Sequence, residues 1–185
     1  DEVVKSKGEP PVETFLAAMR TRHIQLLAGV APDYVDEVAG IIEDRLDRLR
    51  NIFAAVCTLK ELTPRSRDYI VSFGERLSAP IVSAALRQHG IPSIVLDGAE
   101  AGIITTANHG DARPLPASES SIRSRVVPLL AGSVPVIMGF MGATEQGVTT
   151  TLGRSGSDYS AAIIGAGIDA DEIWIWTDVD GVMTS

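Results

Sequence analysis

Residues 134–176 read VPVIMGFMGATEQGVTTTLGRSGSDYSAAIIGAGIDADEIWIW, and this stretch decides the fold that the sequence predicts. Residues 134–138 and 173–176 are short apolar runs, rich in β-branched or aromatic side chains, as in buried strands. Between them, residues 157–167 have helical character. A strand, a helix and a second strand in succession are typical of an open, mainly parallel sheet with helices on its faces.

The same alternation extends towards the N-terminus. Residues 69–73 (YIVSF) and 94–96 (IVL) are two further strand-like runs, and residues 77–89 and 121–130 have helical character. Residues 98–120 contain many Gly, Pro, Thr and Ser and little periodicity, which predicts a long loop or an irregular hairpin. We therefore predict an α/β fold, a three-layer sandwich on a mainly parallel open sheet.

A helical segment, residues 1–60, precedes this α/β body, which we expect to cover residues 64–185. Pro10-Pro11 suits the first turn of a helix, and residues 29–32 should end it. From Asp33, a predicted N-cap, apolar residues recur every three or four positions. These apolar residues are Val35, Val38, Ile42, Leu46, Leu49, Phe53 and Val56. The mixed charge of the polar face favours a helix packed on its own domain over a membrane-surface or partner helix.

Composition and charge exclude several classes of protein. The chain has 185 residues, of which 45% are hydrophobic, so it is long enough for one domain with a core. Its formal net charge of -8 disfavours nucleic-acid and acidic-membrane partners, which need clustered Lys and Arg. The lone Cys57 excludes an internal disulfide and a cysteine-rich metal site. Because no apolar run reaches the ~20 residues of a membrane helix, we expect a cytoplasmic protein.

The segment TTTLGRSGSD, residues 149–158, concentrates polar side chains at the start of a predicted helix. Unpaired main-chain N–H groups at a helix start carry about half a positive charge, which stabilises a carboxylate or a phosphate. The Arg154 guanidinium can bind such a group through two parallel hydrogen bonds. Ser157 and Asp158 can cap the helix, bind the ligand, or do both. This turn therefore predicts a site for a small charged ligand.

Further candidates follow the predicted strands, because ligands of open α/β sheets bind at the carboxyl ends of the strands. Glu75 can hold an ammonium group there, although a glutamate is also favoured at an ordinary helix start. Phe140 lies among glycines that let a ligand approach the main chain, although core packing is the usual role of a lone phenylalanine. His23, His89 and His109 lack metal-ligand spacing, and we assign them to the surface or to loops.

Three familiar motifs do not account for these residues. The P-loop pattern is absent, since no lysine follows a glycine pair. Residues 165–170 match the dinucleotide fingerprint G-x-G-x-x-A, but only Asp171 and Glu172 separate them from the next predicted strand, so they cannot open a helix. We interpret those glycines as a helix end and a turn. Residues 178–181 resemble part of a calcium loop, but a strand-like segment precedes them.

Three separated motifs occur in order along the chain: SFGERLSA at residues 72–79, GFMGATEQGVTTTLGRSGSDYSAA at residues 139–162 and IWTDVDGV at residues 175–182. In sequence and in order they resemble the aspartate kinases of the amino acid kinase family. Family members that act on glutamate, acetylglutamate, carbamate or UMP share the fold but do not usually carry the TTLGRxGSDY run. The resemblance covers residues 68–185 well and the helical front only in general layout.

The resemblance implies a reaction and a set of site residues. The γ-phosphoryl group of ATP would be transferred to the side-chain carboxylate of L-aspartate, giving 4-phospho-L-aspartate for lysine, threonine and methionine biosynthesis. Glu75 would contact the amino group of aspartate and Arg154 its α-carboxylate, with Phe140, Ser157 and Asp158 completing the pocket. Arg154 and Asp158 are the candidate catalytic residues.

The resemblance also implies ATP and Mg²⁺ as cofactors. Thr177 and Asp178 match positions that contact the nucleotide, and Met183 lies near the adenine where many relatives have tyrosine. We assign no residue of this sequence to the metal. Phosphoryl transfer needs positioning and positive charge more than covalent chemistry, so Mg²⁺ and basic side chains should do most of the work. We expect the full-length chain to form a homo-oligomer, a dimer.

The sequence departs from the aspartate kinases in several places. It lacks their N-terminal KFGGTS run, whose lysine neutralises the transferring phosphate, their DPR run and their C-terminal regulatory domains. Ser155 replaces a usual glycine, which matters if that position needs a positive φ. The chain begins at Asp1 without methionine and ends just past a strand-like run. We therefore expect the central part of one catalytic domain, inactive alone, from an active parent protein.

Two other functions remain open at this stage. The first is a sensor module of the same fold, which binds an amino acid or a nucleotide without catalysis. The second, less favoured because of the geometry at Gly165, is a dinucleotide-dependent oxidoreductase.

Overall fold

The structure, a computed structural model, describes residues 10–176. Their helices and strands alternate after a helical front. In chain order these are α1 (Pro10–Val30), α2 (Val35–Leu59), α3 (Pro64–Val71), α4 (Phe73–Gln88), β1 (Ser93–Leu96), α5 (Ala117–Val126), β2 (Val134–Ile137), β3 (Met141–Ala143), β4 (Thr149–Thr151) and α6 (Gly156–Ile168). Two short 3-10 helices, Pro32–Tyr34 and Val127–Ala131, precede α2 and follow α5.

The helical front shares an apolar core with α4. The predicted stripe of α2 is confirmed, because six of its residues are buried: Val38, Ile42, Leu46, Leu49, Phe53 and Val56. Leu16 and Leu27 of α1 and Leu77 of α4 belong to the same cluster. The apolar face of α2 therefore packs on neighbouring helices of this chain, as the mixed charge of its polar face indicated.

The predicted N-cap of α2 is wrong. Tyr34, not Asp33, occupies that position, after the 3-10 turn. Asp33 is bound to α4 instead, since its main-chain N–H donates to Gln88 Oε1 (3.1 Å) and its Oδ2 accepts from Gln88 Nε2 (2.8 Å). Hydrogen bonds with a residue far along the chain have replaced the helix-capping hydrogen bond that the sequence predicted for Asp33.

The predicted strand at residues 69–73 is also wrong, because these residues belong to α3 and the start of α4. Pro64 occupies the first turn of α3, and the Thr63 hydroxyl accepts a hydrogen bond from the Ser66 N–H (3.1 Å). Tyr69 and Phe73 pack edge to face, with ring centroids 5.4 Å apart. Capping and packing at helical spacing outweigh the β-propensity of this apolar run.

The sheet of the α/β body lies between two layers of helices. β1 and β2 pair in parallel, from Ser93 opposite Val134 to Leu96 opposite Ile137, which confirms the predicted parallel sheet. Successive strand residues face opposite sides. Val95 and Val136 pack towards Ala79 of α4, whereas the other face packs on α5 and α6. The apolar residues that meet there are Leu96 and Ile137 of the strands, Ile122 and Val126 of α5, and Ile163, Ile164 and Ile168 of α6.

Two segments beside this sheet differ in outcome. The irregular segment predicted at residues 98–120 ends at residue 116, because residues 117–120 form the first turn of α5. Residues 98–116 are irregular, and they contact an antiparallel hairpin of β3 and β4 that the sequence did not indicate. Residues 173–176, predicted as a strand, form no strand within the part of the chain that the structure describes. Trp174 and Trp176 are 71% and 86% exposed. An apolar run becomes a strand only where a neighbouring strand satisfies its main chain, and no described strand lies beside this one.

The predicted helices at residues 77–89, 121–130 and 157–167 are confirmed. Across residues 10–176, no helix combines the length and the apolar composition that crossing a membrane requires.

Candidate active site

The predicted ligand turn connects β4 to α6. Gly153 and Ser155 both have left-handed main-chain conformations, with φ of +80° and +55°. Ser155 is the N-cap of α6, and within the described residues its side chain makes no capping hydrogen bond. Ser157 and Asp158 lie in the first turn of α6 rather than at the cap, and both are exposed. Their side chains are therefore accessible to a ligand at the N-terminus of the helix.

Arg154 lies at the edge of an open cavity. The residue is exposed, and among residues 10–176 no hydrogen bond or ion pair holds its guanidinium. It lines a cavity of about 690 Å³ together with Phe140, Thr151 and His109. An arginine without a protein partner can bind a carboxylate or phosphate at no cost in existing ion pairs.

Phe140 is held in a strained conformation beside this turn. Its φ of +46° is in the left-handed region, which bulky residues rarely adopt. Its N–H donates to Ser160 Oγ (3.1 Å), and its carbonyl oxygen accepts from the Leu152 N–H (2.9 Å). A Cβ built on Gly156 would stand 2.7 Å from Phe140 Cβ, so only glycine fits there. The main chain of Phe140 is therefore fixed against both β4 and α6.

Glu75 lies at a second, neighbouring cavity. It is half-buried in the first turn of α4, the ordinary helix start that the sequence offered as its other interpretation. This cavity, of about 540 Å³, also includes Gly139 and Ser157. A Cβ on Gly139 would stand 3.0 Å from Ser157 Oγ, which shows how closely the end of β2 approaches α6.

The predicted acceptor residues therefore divide between two adjacent cavities. Glu75 and Ser157 line one, Phe140 and Arg154 line the other, and Asp158 lines neither. Residues 139–140 connect the two cavities along the chain. The predicted nucleotide residues, Thr177, Asp178 and Met183, lie outside the residues that the structure describes.

Arg76, the residue after Glu75, forms an ion pair at this end of the sheet. Arg76 Nη1 lies 3.5 Å from Asp97 Oδ2, at the carboxyl end of β1. Arg45 of α2 is close to Arg76, and burial, followed by the positive charge of Arg76, lowers the pKa of the Arg45 guanidinium. Its Nη1 is buried and has no hydrogen-bond partner among the described residues.

A buried carboxylate that the sequence did not reveal lines the same cavity as Arg154. Asp68 is 2% exposed, and its Oδ2 lies 2.7 Å from His109 Nδ1. The assignment of His109 to the surface or a loop was therefore incomplete, because its side chain is only 16% exposed and is bonded to α3. The partners of Asp68 are 41, 42 and 83 residues further along the chain, so no local pattern could have indicated them.

The helix-end interpretation of residues 165–170 is confirmed. Gly165 and Gly167 lie in the last turn of α6. Their missing side chains permit close packing, since a Cβ would stand 2.4 Å from Ile173 Cδ1 at Gly165 and 2.7 Å from Ile122 Cγ2 at Gly167. These glycines do not open a helix, as a dinucleotide fingerprint requires.

Known proteins are similar to this chain in sequence. A sequence model of the amino acid kinase family matches residues 16–185. Aspartate kinase of Pseudomonas fluorescens is 37% identical over 155 residues, which cover 84% of this chain and 37% of that protein. Aspartokinase 1 of Bacillus subtilis is 42% identical over 125 residues, which cover 67% of this chain and 30% of that protein.

A solved structure extends the likeness to the fold. The crystal structure of E. coli aspartokinase III in complex with aspartate and ADP, in the R-state, matches 97% of this chain with a TM-score of 0.84 and 29% identity. The match covers 39% of the aspartokinase III chain. This chain therefore spans well under half the length of these relatives. Since the family match extends over nearly the whole sequence and the fold agrees with it, this chain belongs to the amino acid kinase family.

Proposed function

We propose that the whole protein containing this chain is an aspartate kinase, which phosphorylates the side-chain carboxylate of L-aspartate to give 4-phospho-L-aspartate. The observation that carries the proposal is Arg154, exposed beside an open cavity on a turn whose sequence resembles that of the aspartate kinases. The matching aspartokinase III structure contains aspartate and ADP, which supports an amino acid and a nucleotide as the two ligands.

The acceptor site that we propose uses both charged groups on the α-carbon of the amino acid. Arg154 pairs with the α-carboxylate, and the N-terminus of α6 adds positive potential on the same side. Glu75 pairs with the ammonium group from the adjacent cavity, which Ser157 also lines. Phe140 supplies a fixed main chain between the two cavities. Asp158 lines neither cavity, but it is exposed on the first turn of α6 beside Ser157, and we assign it to the acceptor pocket as part of the proposal.

ATP supplies the transferred phosphoryl group in this proposal, and Mg²⁺ would balance the charge on its phosphates. The residues proposed to contact the nucleotide, Thr177, Asp178 and Met183, are outside the described part of the chain. Residues 10–176 hold no group of three or more His, Cys, Asp or Glu side chains placed to bind a metal ion. In this proposal residues 10–176 bind and orient the acceptor.

The activity is proposed for the whole protein and not for these 185 residues alone. The sequence contains no KFGGTS run, and its lysines are only Lys5, Lys7 and Lys60. Lys60 follows α2 rather than a strand, and Lys5 and Lys7 lie outside the described residues. No lysine of the sequence stands in a glycine-rich run like KFGGTS, whose lysine would neutralise the transferring phosphate. We propose that the whole enzyme is a cytoplasmic dimer that serves amino-acid biosynthesis.

Trapping of the acyl phosphate with hydroxylamine tests the proposal. The whole protein should form aspartyl hydroxamate only when both ATP and aspartate are present, and the isolated chain should form none. Saturable aspartate binding without any hydroxamate would instead indicate the sensor module and contradict the kinase. Turnover by the isolated chain close to that of the whole protein would contradict its proposed inactivity.

A further inference from the structure

We propose that Asp68 is a positioning residue for the Arg154 turn, and hence for the carboxylate of the acceptor. The inference rests on the proposed function, in which Arg154 binds aspartate. Asp68 belongs to α3, four residues before the first of the three motifs that carry the family resemblance, and its carboxylate is buried where a charge needs hydrogen-bond donors.

Four donors surround the Asp68 carboxylate. Oδ1 accepts from Thr151 Oγ1 at 2.6 Å. Oδ2 accepts from the main-chain N–H groups of Gly110 (3.2 Å) and Thr151 (3.3 Å) and lies 2.7 Å from His109 Nδ1. A carboxylate is acceptor-only when ionised, and each of its oxygens can take more than one donor, so one side chain satisfies groups from two different segments.

One of the two segments leads into the Arg154 turn, and the other packs against it. Thr151 is the last residue of β4, directly before Leu152 and Gly153. On the other side, the Gly110 carbonyl oxygen and Asp111 Oδ1 would stand 3.3 Å and 3.1 Å from a Cβ built on Gly153. The Ala112 N–H donates to the Thr151 carbonyl oxygen (2.9 Å), which closes the same contact. Asp68 therefore fixes both the strand that leads into the turn and the loop that packs against it.

This arrangement makes the position of Arg154 depend on a residue that does not touch the ligand in our proposal. Arg154 has no described partner of its own, so its main chain alone determines where the guanidinium starts. Bidentate pairing with a carboxylate is sensitive to small displacements, because both hydrogen bonds must align together. Loss of the Asp68 carboxylate should therefore weaken acceptor binding more than it affects nucleotide binding.

The test uses Asp68→Ala in the whole enzyme, with Asp68→Asn as the conservative variant. Alanine removes all four hydrogen bonds, and we expect the KM for aspartate to rise ~10-fold or more while the KM for ATP stays within ~2-fold. Asparagine keeps an acceptor oxygen for the main-chain N–H groups and can donate its amide to Thr151 Oγ1. It should therefore restore the KM for aspartate to within ~3-fold of the original enzyme.

Two further variants separate positioning from a general loss of stability. Ser83→Ala removes a buried hydroxyl that is bonded to Ser93 Oγ (2.7 Å), away from the turn, and should leave both KM values unchanged. Thr151→Val removes one hydrogen bond without changing shape and should raise the KM for aspartate by a smaller factor. It also provides the test if Asp68→Ala does not fold.

Amide hydrogen exchange over residues 149–155 gives a readout that does not depend on the reaction. Exchange there should be faster in Asp68→Ala than in Ser83→Ala, because the turn has lost its support. Faster exchange in a protein without aspartate kinase activity would retain the positioning role and reject the proposed function. Unchanged exchange over residues 149–155 in Asp68→Ala would overturn the inference. So would a KM for aspartate and a KM for ATP that change in Asp68→Ala only as much as they change in Ser83→Ala.

Discussion

Ser155 offers a direct test of the conformation of the ligand turn, through the substitution Ser155→Gly. Ser155 has φ of +55° and ψ of 24°, is exposed, and makes no capping hydrogen bond through its side chain within the described residues. A non-glycine residue in the left-handed region costs about 1–2 kcal/mol, which glycine does not pay. Glycine in turn adds unfolded-state entropy worth roughly 0.4–1 kcal/mol.

The difference predicts that Ser155→Gly raises the free energy of unfolding by about 0.5–1 kcal/mol. For a chain of 185 residues this corresponds to a rise in Tm of roughly 1–4 °C. Urea and thermal unfolding, followed by circular dichroism, measure both quantities. Ser157→Gly is the matched control, since Ser157 lies two residues further on in the first helical turn and glycine should destabilise it by about 0.5–1 kcal/mol. Equal destabilisation by the two substitutions would refute the left-handed conformation at Ser155.

Two more substitutions test packing around the site. Gly156→Ala should lower the free energy of unfolding by about 1–3 kcal/mol, because the new methyl group meets Phe140 Cβ at 2.7 Å, and denaturant unfolding of the variant measures the loss. Gly40→Ala within α2 should raise the free energy of unfolding by about 0.5–1 kcal/mol, since no described atom lies within 4 Å of the new Cβ. A loss of stability in the same assay would mean that another part of the protein covers α2 at this position.

The sequence predicted most of the elements whose stability depends on local pattern. The apolar stripe of α2 could be predicted because Val38, Ile42 and Leu46 recur at helical spacing. All three are buried in the structure. The parallel pair β1 and β2 was visible as two apolar runs separated by a helix. Residues 69–73 failed because an apolar run of this length suits a strand or a buried helix equally, and the Thr63 cap decided for the helix.

The candidate site was predictable only in part. The turn at residues 149–158 was found from residue types alone, because glycines, hydroxyls and an arginine at a helix start favour an anion. Asp68 was not found, since its hydrogen bonds join segments that are far apart in sequence. Nor could the sequence indicate that Glu75 and Arg154 line separate cavities, because that depends on how α4 and α6 pack around the end of β2.

The central claim is that Arg154 binds the α-carboxylate of the acceptor. Its most direct test compares L-aspartate with its α-amide as substrates of the whole enzyme, before and after Arg154→Ala. Charge-assisted hydrogen bonds to one carboxylate are worth about 3 kcal/mol, so Arg154→Ala should raise the KM for aspartate roughly 100-fold. The α-amide lacks that charge, and the substitution should change its KM little, so the variant should no longer distinguish the two compounds. An unchanged KM for aspartate, or an equal increase for both compounds, would contradict the assignment of Arg154.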